Sequence, residues 1–215
     1  NIVIEGVDEW EELGWVGKGV RIGRPGVEFE VVKTVGRCVA THANPVTGEV
    51  KPQPAGGVAH LATAMARLKS QNPDAVIVAG GDLIGASPLI SNLLRDEPTL
   101  AALSQLGIAA SALGNHELDA GLPELLRQAR GECGAGGCLW PGYKGPGFPY
   151  LGANVLDAAT GRPLLPTHVM QQAGRLKVAI AGVATKDTPS VIVARAIKGI
   201  RFADEVGTLN ALVPQ

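Results

Sequence analysis

The sequence predicts an α/β fold. From residue 57 onward, short apolar runs closed by glycine turns alternate with helix-period segments, the signature of βα units around a parallel sheet. Two of the runs, 75–79 and 108–113, lead into Gly80-Gly81-Asp82 and Gly114-Asn115-His116-Glu117-Leu118-Asp119. With both strands in one parallel sheet, Asp82, Asn115 and His116 arrive at the same carboxyl edge, where open α/β sheets bind ligands. A carboxylate, an amide oxygen and an imidazole at one edge suit a divalent-metal site for phosphate chemistry.

The elements follow in order. Residues 2–5, 20–22 and 27–34 read as strands, rich in Val and Ile with alternating charge, and 38–42 as a further one. Residues 44–54 hold Asn-Pro, Thr-Gly and two further prolines, hence a loop. Val58, Leu61, Met65 and Leu68 recur at helical spacing and predict an amphipathic helix over 57–70. The strand over 75–79 is expected to be buried. Asp96 as N-cap, Pro98 in the first turn and Gly107 as stop frame a second helix. Residues 108–113 form a strand, and Pro123 opens a helix that ends at Gly131. Residues 150–155 read as one strand. Thr160-Gly161 makes a tight connection to an edge strand over 167–171, and 176–183 reads as another buried strand. No internal repeat or low-complexity tract occurs.

Bulk properties narrow the function classes. At 215 residues one substantial core is possible. A formal net charge of −1 argues against an electrostatic nucleic-acid binder. The 29 glycines and 15 prolines suit a loop-rich enzyme fold. No apolar stretch reaches membrane-spanning length and no signal peptide is present. The sequence begins at Asn1 rather than Met, so a processed or partial sequence is expected and localisation is left open. Three cysteines are too few for a disulfide scaffold, and a zinc site at Cys133/Cys138 lacks a second ligand pair. Those two either bond across their Gly-rich loop or stay as free thiols.

Pro54-Ala55-Gly56-Gly57-Val58, Gly81 through Pro88, Gly114 through Asp119, Tyr150 through Val155 and Gly182 through Pro189 carry a resemblance. Residues 51–215 resemble the N-terminal metallophosphoesterase domain of the secreted 5′-nucleotidase and 2′,3′-cyclic-nucleotide phosphodiesterase family. The resemblance implies an α/β/β/α sandwich, incomplete here, and a metal-dependent phosphoester hydrolase using Mn, Zn or a similar divalent ion. It implies that Asp82 bridges two metals and Asn115 supplies a neutral oxygen. It makes His116 the acid serving the leaving oxygen, with Asp119 fixing its tautomer. It implies a small phosphate ester, a nucleotide by analogy, as substrate, while the residues that bind it are unassigned. It also implies a periplasmic or secreted parent, which favours the Cys133–Cys138 disulfide.

Two departures stand out. The family opens on a strand ending in Asp-x-His, and no Asp-x-His occurs here. Further histidine ligands and the nucleoside-binding domain lie downstream in the family, beyond the length of this sequence. A reduced metal site is therefore expected. His42 is a candidate replacement ligand if the strand over 38–42 takes the place of the missing first strand; otherwise it is an exposed loop residue. His60 and His168 are expected on the surface and in a structural role.

Residues 1–50 resemble the end of a MOSC domain, through Asn1 to Gly6, Trp15-Val16-Gly17, Arg21-Ile22-Gly23 and Arg37 to Gly48. That domain binds the molybdenum cofactor, with a cysteine matching Cys38 as ligand in one branch. The cofactor pocket is not encoded here, so no molybdenum cofactor is expected. The implied organisation is a small MOSC-like β segment over 1–50, joined near 48–51 to a partial metallophosphoesterase domain over 51–215. The alternative function is a non-catalytic fusion or fragment that self-associates through an open sheet edge, giving a homo-oligomer. Neither a nucleic-acid polymer nor a membrane is expected as partner.

Overall fold

The computed structural model describes residues 19–22, 27–30, 57–85, 87, 89–134 and 136–213. The chain divides into two compact units, residues 1–55 and 56–215. In the first, β1 (Gly19–Ile22) pairs antiparallel with β2 (Val27–Glu30). The remaining strands expected before residue 50, together with Cys38 and His42, lie outside the described residues.

The second unit begins with α1 (Gly57–Gln71), followed by β3 (Ile77–Ala79), α2 (Leu89–Asn92), α3 (Glu97–Ser104) and β4 (Ile108–Ala112). A single 3₁₀ turn, His116–Leu118, leads to α4 (Leu122–Ala129) and β5 (Tyr150–Leu151). Then come β6 (Val155–Asp157), β7 (His168–Ala173), β8 (Leu176–Ala181), α5 (Thr188–Val191), β9 (Ile200–Phe202) and α6 (Glu205–Leu212).

Strands β3, β4 and β5 form a parallel sheet in that order. Because β3 and β4 run the same way, the loops after both leave from one edge. The core lies against this sheet: Leu100 of α3, Leu125 of α4 and Leu118 of the 3₁₀ turn are fully buried with Leu113 and Tyr150. Burying each such leucine stabilises by roughly 1.5–3 kcal/mol. Gly107, at φ +70°, ends the chain's excursion through α3 as expected.

Several sequence expectations are corrected. Residues 150–155 are two strands. Leu151 closes the parallel sheet, and β6 turns to pair antiparallel with β9. The switch is made by Asn154, fully buried, whose amide donates to the Ala184 and Ala203 carbonyls at 2.6 and 2.9 Å and accepts from the Ala184 N–H at 2.9 Å. β8 forms a two-stranded hairpin with β7, and its residues are exposed or half-buried rather than core. Asp96 precedes α3 but makes no capping bond, because its carboxylate is drawn to Gly85 and Ser91. Val27–Glu30 pairs with β1. Among the described residues the parallel sheet has β3 as its outermost strand, and Val78 on it is 54% exposed.

His60 lies on α1, exposed, as expected. His168 opens β7, where its Nδ1 is 3.0 Å from the Thr167 hydroxyl. No helix of the described residues is long and apolar enough to cross a membrane.

Candidate functional site

Two loops interlock at the carboxyl edge of the parallel sheet. The loop after β3 carries Gly80-Gly81-Asp82, and the loop after β4 carries Gly114-Asn115-His116. Gly81 has φ +89°, and a Cβ there would overlap the Gly114 backbone. A Cβ on Gly114 would in turn overlap Asp82. Only two glycines let the loops approach this closely. Asp82 itself has φ +54°, unusual for a residue with a side chain.

The joint is held by a residue that the sequence reading passed over. Glu117 is 2% exposed, and its carboxylate accepts three backbone N–H groups. Oε2 accepts from Asp82 at 2.9 Å and from Gly114 at 2.8 Å, and Oε1 accepts from Leu83 at 2.7 Å. One side chain thus ties both loops together. Burial pushes its carboxyl above the usual range, opposed by the three N–H donors.

Asp82, His116 and Asp119 are brought together, and Asn115 precedes His116 on the loop after β4. Asp82 Oδ1 accepts the His116 N–H at 3.2 Å. His116 Nδ1 lies 2.8 Å from Asp119 Oδ2, and both side chains are about two-fifths exposed, 39% and 42%. The hydrogen bond to Asp119 raises the His116 pKa, with burial opposing and the charges of Asp119, Asp82 and Glu117 adding to the rise. With Nδ1 turned to Asp119, Nε2 is left to face solvent or substrate. A half-exposed imidazole held in one tautomer by a carboxylate can deliver a proton to a departing oxygen.

For a metal, Asp82 and Asn115 supply hard oxygen donors on adjoining loops, the chemistry that divalent cations take. Among the described residues no group of three or more His, Cys, Asp or Glu side chains is placed to hold a metal ion. Among the described residues, the donors present fit such an ion in kind.

Beside the dyad lies a cleft of about 510 Å³, whose lining includes His116, Glu117, Asp119, Asn92, Arg95 and Gln128. Behind it, Arg127 pairs with Glu124 at 2.7 Å and with the fully buried Glu97 at 3.0 Å. Glu97 Oε2 accepts the N–H groups of Leu139 and Trp140, each at 2.7 Å, and so fastens the loop after α4. That loop is closed by a Cys133–Cys138 disulfide, one of the two alternatives left open by the sequence.

No protein-family model matches the chain. Its sequence is 35% identical over 155 residues to the endonuclease YhcR of Bacillus subtilis, covering 72% of this chain and 13% of that protein. It is 34% identical over 172 residues to the cell wall protein Lmo0130 of Listeria monocytogenes, covering 73% and 22%. It is 34% identical over 140 residues to a 5′-nucleotidase of Vibrio cholerae, covering 65% and 22%. The chain therefore spans less than a quarter of each of these three relatives. Among solved structures it superposes on the calcineurin-like phosphoesterase YfkN of Bacillus subtilis with a TM-score of 0.59 at 23% identity, covering 77% of this chain and 51% of that one. On the 5′-nucleotidase precursor of Thermus thermophilus the TM-score is 0.58 at 24% identity, covering 81% and 32%. The chain's relatives thus include 5′-nucleotidases, and it shares its fold with 5′-nucleotidases and calcineurin-like phosphoesterases.

Proposed function

We propose that the chain is a metal-dependent phosphoester hydrolase with a reduced metal site, acting on small phosphate esters. The observation that carries this reading is the His116–Asp119 pair, 2.8 Å apart, mounted on the same loop joint as Asp82. Asp82 and Asn115 would hold a divalent ion, and such an ion supplies Lewis-acid charge stabilisation to a phosphoryl group. The chain's own residues do the rest. Asp119 keeps the His116 proton on Nδ1 shared between the two, so the protonated ring presents Nε2–H to the leaving oxygen. Glu117 keeps the two loops in register, so that Asp82 and His116 face one substrate. His42 stands as a further candidate ligand, outside the described residues. A nucleotide substrate is proposed from the relatives named 5′-nucleotidase. A periplasmic or cell-surface setting is proposed from the Listeria relative named a cell wall protein, and a disulfide is at home there.

The test is hydrolysis of alkyl and nitrophenyl phosphate esters with and without added manganese or zinc. His116→Ala is expected to lower turnover on the alkyl ester by about 10²–10⁴-fold, and by much less on the nitrophenyl ester, whose leaving group needs little protonation. Equal losses on both would remove the acid role. An inactive wild type at high manganese would leave the second reading, a self-associating scaffold. That reading is favoured by the exposed Val78 on the outermost described strand of the parallel sheet, and sedimentation reads it directly.

A further inference from the structure

Arg95 and Asp96 are consecutive residues with φ +54° and +57°. Among the described residues the only other non-glycine at positive φ is Asp82, on the catalytic edge. Two adjacent side-chain-bearing residues in the left-handed region are strained, and such strain persists only where surrounding contacts enforce it. Here they do. The buried Gln128 donates from Nε2 to the Arg95 carbonyl at 2.7 Å. The Asp96 carboxylate accepts the Gly85 N–H at 3.2 Å and the Ser91 hydroxyl at 2.8 Å. The result is that Arg95 is held in the lining of the same cleft as His116.

The cleft's charges are unequally partnered. Glu117 is occupied by three N–H donors and Asp119 by His116. Glu124 is held by two nitrogens of Arg127, at 2.9 and 2.7 Å, and Asp96 by Gly85 and Ser91. The Arg95 guanidinium has no carboxylate within ion-pair distance among the described residues. Its Nη1 instead lies against Gly134 of the disulfide loop, only 3.1 Å from where a Cβ on that glycine would sit. A side chain at position 134 would crowd the guanidinium, so the glycine leaves room for it.

Resting on the hydrolase reading above, we propose that Arg95 is a specificity-determining residue that binds an anionic group on the leaving-group part of the phosphoester. His116 serves the leaving oxygen, so whatever departs lies in the cleft that His116 lines, and Arg95 lines that same cleft. Arginine's planar fork suits a carboxylate or a second phosphate.

Calorimetric binding of 3-phosphoglycerate and glycerol 3-phosphate tests this, since the pair differ by a carboxylate on the leaving alcohol. The wild type is expected to bind the phosphoglycerate at least ~10-fold tighter, the scale of one charge-assisted hydrogen-bonded pair. Arg95→Gln and Arg95→Gly should bring the ratio of affinities close to one. Arg162→Gln, an exposed arginine outside the cleft, should keep it. Arg95→Gly also releases the strained φ, so its Tm should be unchanged or raised, which separates loss of recognition from loss of fold. A wild-type ratio near one, or a ratio that survives both Arg95 substitutions, overturns the proposal. An Arg95-dependent ratio without hydrolysis of either ester would support it and refute the hydrolase reading alone.

Discussion

Replacing Glu117 by glutamine is expected to destabilise the fold far more than the same acid-to-amide change at Asp119, two residues on. Glu117 is buried and accepts three backbone N–H groups through both oxygens. In the Glu117→Gln variant, the best orientation of the new side chain keeps its one oxygen on Asp82 and Gly114. Its NH₂ then faces the Leu83 N–H, donor against donor. The lost bond with its orphaned donor costs about 1–3 kcal/mol against a typical total stability of roughly 5–15 kcal/mol. Glu117→Ala, which orphans all three donors, should cost about 3–5 kcal/mol, as for other buried charged networks stripped of a partner.

Asp119 is 42% exposed, and its partner His116 is 39% exposed. Water replaces what Asp119→Asn loses, so the expected change is below about 1 kcal/mol. Urea unfolding of the three variants gives the comparison. Glu117→Gln and Asp119→Asn within about 0.5 kcal/mol of each other would refute the claim that Glu117 clamps the loops. The substitution differs from protonation. A protonated carboxyl oxygen keeps a lone pair for Leu83, whereas an amide nitrogen has none to offer.

Other outcomes follow from the same geometry. Asp82→Ala should strip any bound divalent metal, read by elemental analysis after gel filtration; unchanged content would remove Asp82 from the site. Folded-state pKa values raised at Glu117 by burial and at His116 by Asp119 have the same sign of linkage. Each contributes stability that is full below its unfolded value, 4.5 and 6.5, and is lost as pH rises through the raised folded value, so urea midpoints should fall with pH from above 4.5. The alkaline limb of turnover on an alkyl phosphate should lie above pH 6.5 and move to lower pH in Asp119→Asn. Replacing both Cys133 and Cys138 by Ala should cost about 2 kcal/mol or less, because the loop they close is short.

What the sequence disclosed depended on range. The glycine-bounded strands at 77–79 and 108–112 and the helix at 97–104 between them were legible because periodicity and punctuation are local. So was the His116–Asp119 pairing, since a spacing of three places both groups on one turn. The break at Gly152–Asn154 was not, because nothing local distinguishes it. Asn154 turns the chain through bonds to Ala184 and Ala203, thirty and forty-nine residues away. The exposure of β8 was missed for a related reason. Its Leu, Val and Ile signal an apolar face, and burial depends on what another part of the chain lays over it.

The same distinction explains why the contacts of Glu117 and Arg95 escaped the sequence while the placement of Asp82 and His116 at the sheet edge did not. Asp82 and His116 follow apolar strands, and that position alone marks a sheet edge. Glu117 takes its role from Asp82 and Leu83, thirty-five and thirty-four residues upstream, which come within reach only once β3 and β4 pair. Arg95 is set by Gln128, thirty-three residues downstream, and by a glycine in a disulfide loop. Both are side chains whose meaning is conferred by long-range backbone contacts. Groups that do chemistry can be proposed from local pattern; groups that position them or select the substrate emerge only when the loops are assembled. Glycine offers a partial bridge between the two. Gly81, Gly114 and Gly134 each sit where a Cβ would crowd or overlap a distant segment, so each marks a place where another part of the chain comes close.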